Sequence, residues 1–129
     1  MMEIELQTVI DNINVLSELA KKEIPAKAAF IIARILGQIT DEYNTYQTSR
    51  RQLIEKYGEK DENGNLKTNE DGNAFIRKED INKFNEELKA LVSTKVTILG
   101  ENIPLSSLEN LNFTPGQMYV LAPFINENM

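Results

Sequence analysis

Six side chains stand out as candidates for recognition chemistry: Arg34, Tyr43, Tyr46, Arg50, Arg51 and Tyr57. A guanidinium grips carboxylates and phosphates with two parallel hydrogen bonds. A tyrosine ring offers a stacking face and a polar tip. Arg50 and Arg51, joined by Arg34, make a candidate anion or nucleotide site with Tyr43 and Tyr46 as its flat walls. Arg50 has a plainer reading beside that one. Its stem can run along apolar neighbours while the head reaches water, or it can pair with Glu86 or Glu87 on a facing helix.

Catalytic machinery is harder to find. The chain holds no His, no Cys and no Trp. Without His, the side chain that titrates nearest neutrality is missing. Ser-His and Cys-His nucleophile pairs and ordinary zinc sites are excluded with it. Neither GxGxxG nor GxxxxGK[ST] occurs, so neither nucleotide fingerprint is present. The expectation is therefore a non-enzyme with no catalytic residues, no cofactor and no metal. The acidic stretch from Asp61 invites a calcium loop, but both registers fail. Counting from Asp61 puts Leu66 where the loop needs Gly and Gly72 where it needs Glu. Counting from Asn69 puts Ala74 in the Gly place. Asn63-Gly64 and Asp71-Gly72 read instead as tight turns.

The elements that must position these residues are mainly helical. Leu6, Val9, Ile10, Ile13, Leu16 and Ala20 recur at helical spacing, which predicts a helix over 7–22. Glu3 to Leu6 alternate and admit a short strand as well. Pro25 opens a second helix. Ile32, Leu36, Ile39, Tyr43, Tyr46, Arg50, Leu53 and Tyr57 then follow in steps of four and three, a heptad seam. A helix over 25–57 measures about 50 Å at ~1.5 Å per residue. Gly58 stops it, as Gly often does past a helix end.

A small β-hairpin is predicted near 62–77, with Leu66 and Lys67 facing Phe75 and Ile76. Ile81, Phe84, Leu88 and Leu91 predict a helix over 79–92, antiparallel to the later half of the long one, with the first helix covering the earlier half. Lys95 to Leu99 reads as a strand. Ser106 to Glu109 and Thr114 to Gln117 each match a capping box, and Pro115 starts a short helix over 115–122. No internal repeat appears. The whole is a mainly α (α+β) chain, one domain over 1–129, a helical hairpin or small bundle on one long helix.

The run from Ile24 to Ala29, the run from Arg50 to Gly64 and the segment Phe84-Asn85-Glu86-Glu87-Leu88 together resemble a family of small uncharacterised proteins encoded by phages and prophages of Gram-positive bacteria. The likeness covers most of the chain in order and carries no catalytic motif. It implies work inside an infected bacterium or in the virion, by protein binding. The expected partner is a host or phage protein, such as a bacterial defence or nucleic-acid-handling factor that the chain binds and inhibits. Self-association through the long helix, as in a structural or assembly protein, is the alternative. A nucleotide or small-anion binder is the third reading. The net charge of −6 disfavours direct nucleic-acid binding, and no stretch of 18 apolar residues exists to span a membrane. The first residues, Met1 to Leu6, lack the pattern of a secretory signal. Together with the absent cysteines this points to the host cytoplasm.

Overall fold

The computed structural model describes residues 2–126, an α+β chain with one long helix. Four strands and four helices follow in the order β1 (Met2–Glu5), α1 (Leu6–Leu19), α2 (Ala26–Tyr57), α3 (Ile81–Val92), β2 (Lys95–Ile98), β3 (Ile103–Pro104), α4 (Pro115–Leu121) and β4 (Ile125–Asn126). The chain falls into two compact units, residues 1–43 with 95–129, and residues 44–94. Helix α2 contributes its first part to one and its last part to the other.

In the first unit, β1 pairs antiparallel with β2, Met2 opposite Ile98 and Glu5 opposite Lys95. Two residues of β3 pair parallel with β4. The apolar spacing of α1 works as expected for Leu6, Val9 and Leu16, which are buried with Leu19. Ile10 and Ile13 are half-buried, and Ala20 is exposed. The helix ends at Leu19 rather than Lys22. Lys21 and Lys22 donate to Glu18 and Leu19 in tighter three-residue turns, and Ile24 precedes Pro25, whose ring disfavours helix at the residue before it.

From α2, Ala28, Ile31, Ile32, Ile35 and Ile39 join this core, with Ile98, Ile103, Leu108, Leu121 and Phe124. The buried stripe departs from the expected heptad seam: Ile35 is buried where Leu36 is only half-buried. A straight helix turns every 3.6 residues, so a strict seven-residue seam drifts by about 20° per heptad away from any fixed neighbour.

The polar exception in this core is Asn12. Its Nδ2 donates to the carbonyls of Thr8 at 2.9 Å and Val120 at 2.7 Å, tying α1 to α4. Helix α4 starts with the predicted capping box: the Gln117 amide donates to Thr114 Oγ1 and the Thr114 amide to Gln117 Oε1. The other box does not form. Ser107 Oγ donates back to the Pro104 carbonyl at 2.6 Å, and Leu105–Leu108 curls into a single 3₁₀ turn.

In the second unit, the end of α2 runs antiparallel to α3, as the spacing predicted. Tyr57 and Phe84 meet edge to face with ring centroids 6.4 Å apart, and Lys56 reaches Glu87 at 3.4 Å. A 3₁₀ turn over Lys78–Asp80 precedes α3, so the regular helix starts at Ile81 rather than residue 79.

The hairpin expected near 62–77 is present, with the Phe75 amide donating to the Lys67 carbonyl, and the segment after α2 joins it so that each of the three segments pairs with the other two. Gly58 pairs with Ile76, Lys60 with Leu66, and Thr68 with Ala74. Two turns eight residues apart share one design, a short repeat unmarked by the sequence reading. Asp61 Oδ1 accepts from the amides of Asn63 and Asn65, and Asn69 Oδ1 from those of Asp71 and Asn73. Gly64 and Gly72 close them at φ near +80°, which a side chain resists. Gly58 stands at the helix end for a different reason. Its φ is not positive, but a Cβ there would come within 2.5 Å of both the Ile54 carbonyl oxygen and Leu66.

Candidate protein-binding surface

Burial along α2 stops early. After Ile39, no residue of this helix is buried until Tyr57. Helix α3 repeats the pattern more strongly. Its apolar residues recur at helical spacing, yet none is buried. Leu53, Ile54, Phe84, Leu88 and Leu91 are all half-buried, and Ile81 is exposed. Two helices facing only each other cannot cover both of their stripes, because each stripe spans about 100° or more of helix surface.

Between them, the helices leave an open groove of about 450 Å³. Leu53 and Leu91 form part of its wall, Ser49 and Thr94 line it, and Lys56 and Glu87 stand across it from each other. The Tyr57 hydroxyl joins that pair. Its hydrogen bond to Glu87, followed by burial, holds the tyrosine above its ordinary value. The same hydroxyl, more than any other group, holds Glu87 below the usual carboxylate range. Lys56 is raised, first by Tyr57 and then by Glu87. Lys56 and Glu87, both lining the groove, thus carry opposite charges at neutral pH.

The candidate residues read from sequence divide between the two units. Tyr57 is buried against Phe84 and serves the hairpin's own packing. Arg50 and Arg51 are both exposed on α2. Of the two partners expected for Arg50, Glu86 and Glu87, the second pairs with Lys56. Tyr46 is half-buried in the second unit and Tyr43 half-buried in the first. Arg34 lies in the first unit, its guanidinium carbon 5.8 Å from the centroid of the Phe30 ring. Arg34 thus belongs to the first unit, and Arg50 and Arg51 to the second.

The sequence reading missed Lys56, Glu87 and Phe84 as a set. Their signal was present, since Lys56 adjoins Tyr57 and Glu87 follows Phe84 by three on one helix face. It also missed Phe30 and Leu99, both exposed. Phe30 precedes Arg34 by four residues, the spacing that stacks side chains on a helix. Among the described residues, no cluster of three or more acidic side chains is placed to hold a metal, and no helix is long and apolar enough to cross a membrane. No family model, no curated protein and no solved structure matches the chain.

Proposed function

We propose that the chain is a non-enzymatic interaction protein that binds a host bacterial protein, and inhibits it, through the open face of the helical hairpin in residues 44–94. One observation carries this reading: the apolar stripes of α3 and of α2 beyond Ile39 are regular in spacing but incompletely covered. Apolar strips rimmed by polar groups are where proteins meet, and Tyr and Arg are enriched there. Tyr46, Arg50 and Arg51 belong to the same stretch of α2. The phage-like resemblance supplies the setting, inside an infected bacterium. Binding and occlusion suit a chain without the usual nucleophiles and proton shuttles.

Self-association is the second reading, and charge favours it at this face. Residues 44–94 hold nine basic and ten acidic side chains, against five and ten in the rest, so the hairpin unit is close to neutral. A photo-cross-linking residue at Gln52, in the full chain expressed in a bacterial host, tests both. The expected result is one heterologous adduct, lost on Leu91→Asp while far-UV circular dichroism is unchanged. An adduct of the chain with itself shifts the assignment to assembly, and no adduct overturns both.

A further inference from the structure

A second recognition feature lies in the first unit. We infer that the hollow between α2 and the turn after β2 binds the C-terminal residue of a partner polypeptide, taking its apolar side chain and its carboxylate together; this rests on the protein-binding reading above only in taking the occupant to be a polypeptide.

The hollow measures about 220 Å³ and is walled by Phe30, Ile31, Ile35 and Leu99, with Arg34, Lys27 and the Glu101 carboxylate also lining it. Phe30 is 63% exposed and Leu99 54%. Two large apolar side chains side by side in water are unusual enough to need a reason. Leu99 is also held in place. Its amide donates to Gln38 Oε1 at 2.7 Å, and Gln38 Nε2 donates to its carbonyl at 2.8 Å. One side chain thus satisfies both backbone groups of a residue just past the paired part of β2. Gly100, at φ +115°, then turns the chain away.

The charge at this point opposes its surroundings. Residues 1–43 and 95–129 hold only five basic side chains against ten acidic ones, and two of the five border this hollow. Lys21, Lys27 and Lys95 each meet a carboxylate, whereas Arg34 lies against the Phe30 ring. The Lys27–Glu101 pair is 4.0 Å long with both side chains more than two-thirds exposed. Such a pair is weak, and an incoming carboxylate can displace it. A guanidinium backed by an aromatic ring presents its donors to a carboxylate in a fixed plane. A hollow of about 220 Å³ with basic groups beside its apolar wall suits a single residue that carries both an apolar side chain and a carboxylate. Among polypeptide residues, an apolar side chain and a carboxylate share one α-carbon only at a C-terminus.

Fluorescence anisotropy with fluorescein-labelled Gly-Ser peptides ending in leucine or phenylalanine tests this on the full chain at low salt. Saturable binding is expected, weakened about tenfold or more by C-terminal amidation or by Arg34→Gln, the scale of one charge-assisted hydrogen bond. Leu99→Ser weakens both peptides, and Arg34→Lys weakens them less than Arg34→Gln. Arg34 is exposed, so its variants fold. Equal binding of the amidated peptide, no saturable binding, or tighter binding of free N-acetyl-leucine than of the peptides overturns the inference. The Gln52 cross-link reads the other unit, so its survival separates failure here from failure of the protein-binding reading.

Discussion

Asn12 shows how one side chain can specify a core. It is fully buried on α1, and its two donated hydrogen bonds determine which way the amide points. Flipping it would set its oxygen against two carbonyl oxygens. The Oδ1 atom has no partner among the described residues, so the arrangement trades one unsatisfied acceptor for a specific tie between α1 and α4. Asn12→Ala removes the donor to Val120 and leaves that carbonyl with one bond fewer. The expected loss is about 1–3 kcal/mol of unfolding free energy, the scale for stranding a buried polar group. Urea denaturation measures it. A change within about 0.5 kcal/mol, typical of surface positions, would mean that water replaces the amide at no cost. The sequence offered no sign of this role, because Asn12 sits among apolar neighbours and its distant partner is a backbone atom.

At the scale of elements, α2, α3 and α4 were legible because apolar spacing, Pro25, Pro115 and the Thr114 box are local signals. The Arg34 hollow was not, since it depends on Gln38 reaching Leu99 across 61 positions of chain. Nor was the two-residue parallel pairing of β3 with β4, which is too short to leave a pattern. The half-open hairpin was legible in part: the stripe on α3 was visible, its incomplete cover was not.

The contacts among Tyr57, Glu87 and Lys56 give that hairpin a pH signature. Glu87 is depressed in the folded chain, chiefly by the Tyr57 hydroxyl, so its contribution is present above the ordinary value of 4.5 and is lost as pH falls through the lowered value. Tyr57 and Lys56 are raised, so their contributions are full below the ordinary values of 10.0 and 10.5 and are lost as pH rises through the raised ones. In Tyr57→Phe, the Glu87 carboxyl should titrate closer to 4.5, and the alkaline loss of stability tied to the phenol should vanish. Carbon-detected titration of Glu87 measures the first, and chemical unfolding above pH 10 the second. An unmoved Glu87 would mean that Lys56 alone sets its charge.

For the whole molecule, the two units differ in what holds them. Residues 1–43 with 95–129 bury an interior of isoleucines, leucines and Phe124, whereas residues 44–94 bury only Tyr57 and Gly58. Apolar burial is the dominant favourable term, at roughly 25 cal/mol per Å². Local opening follows it, because segments with few buried contacts open at a fraction of the global free energy. Amide hydrogen exchange should therefore be slowest in α1, in α2 up to Ile39 and in the β1–β2 pair, and fastest in the hairpin region of residues 58–77. Helix α3 should exchange faster than α1 although both are regular helices. Occupation of the hairpin face by a protein partner removes that difference, since a ligand that binds only the closed form adds its binding free energy to closing. A first measurement on the chain alone and a second on the cross-linked complex separate the two states. Uniform slow exchange in the chain alone would show that the stripes of α3 and of α2 beyond Ile39 are already covered in solution, and a steep rise of α3 protection with protein concentration would name a second copy as the cover.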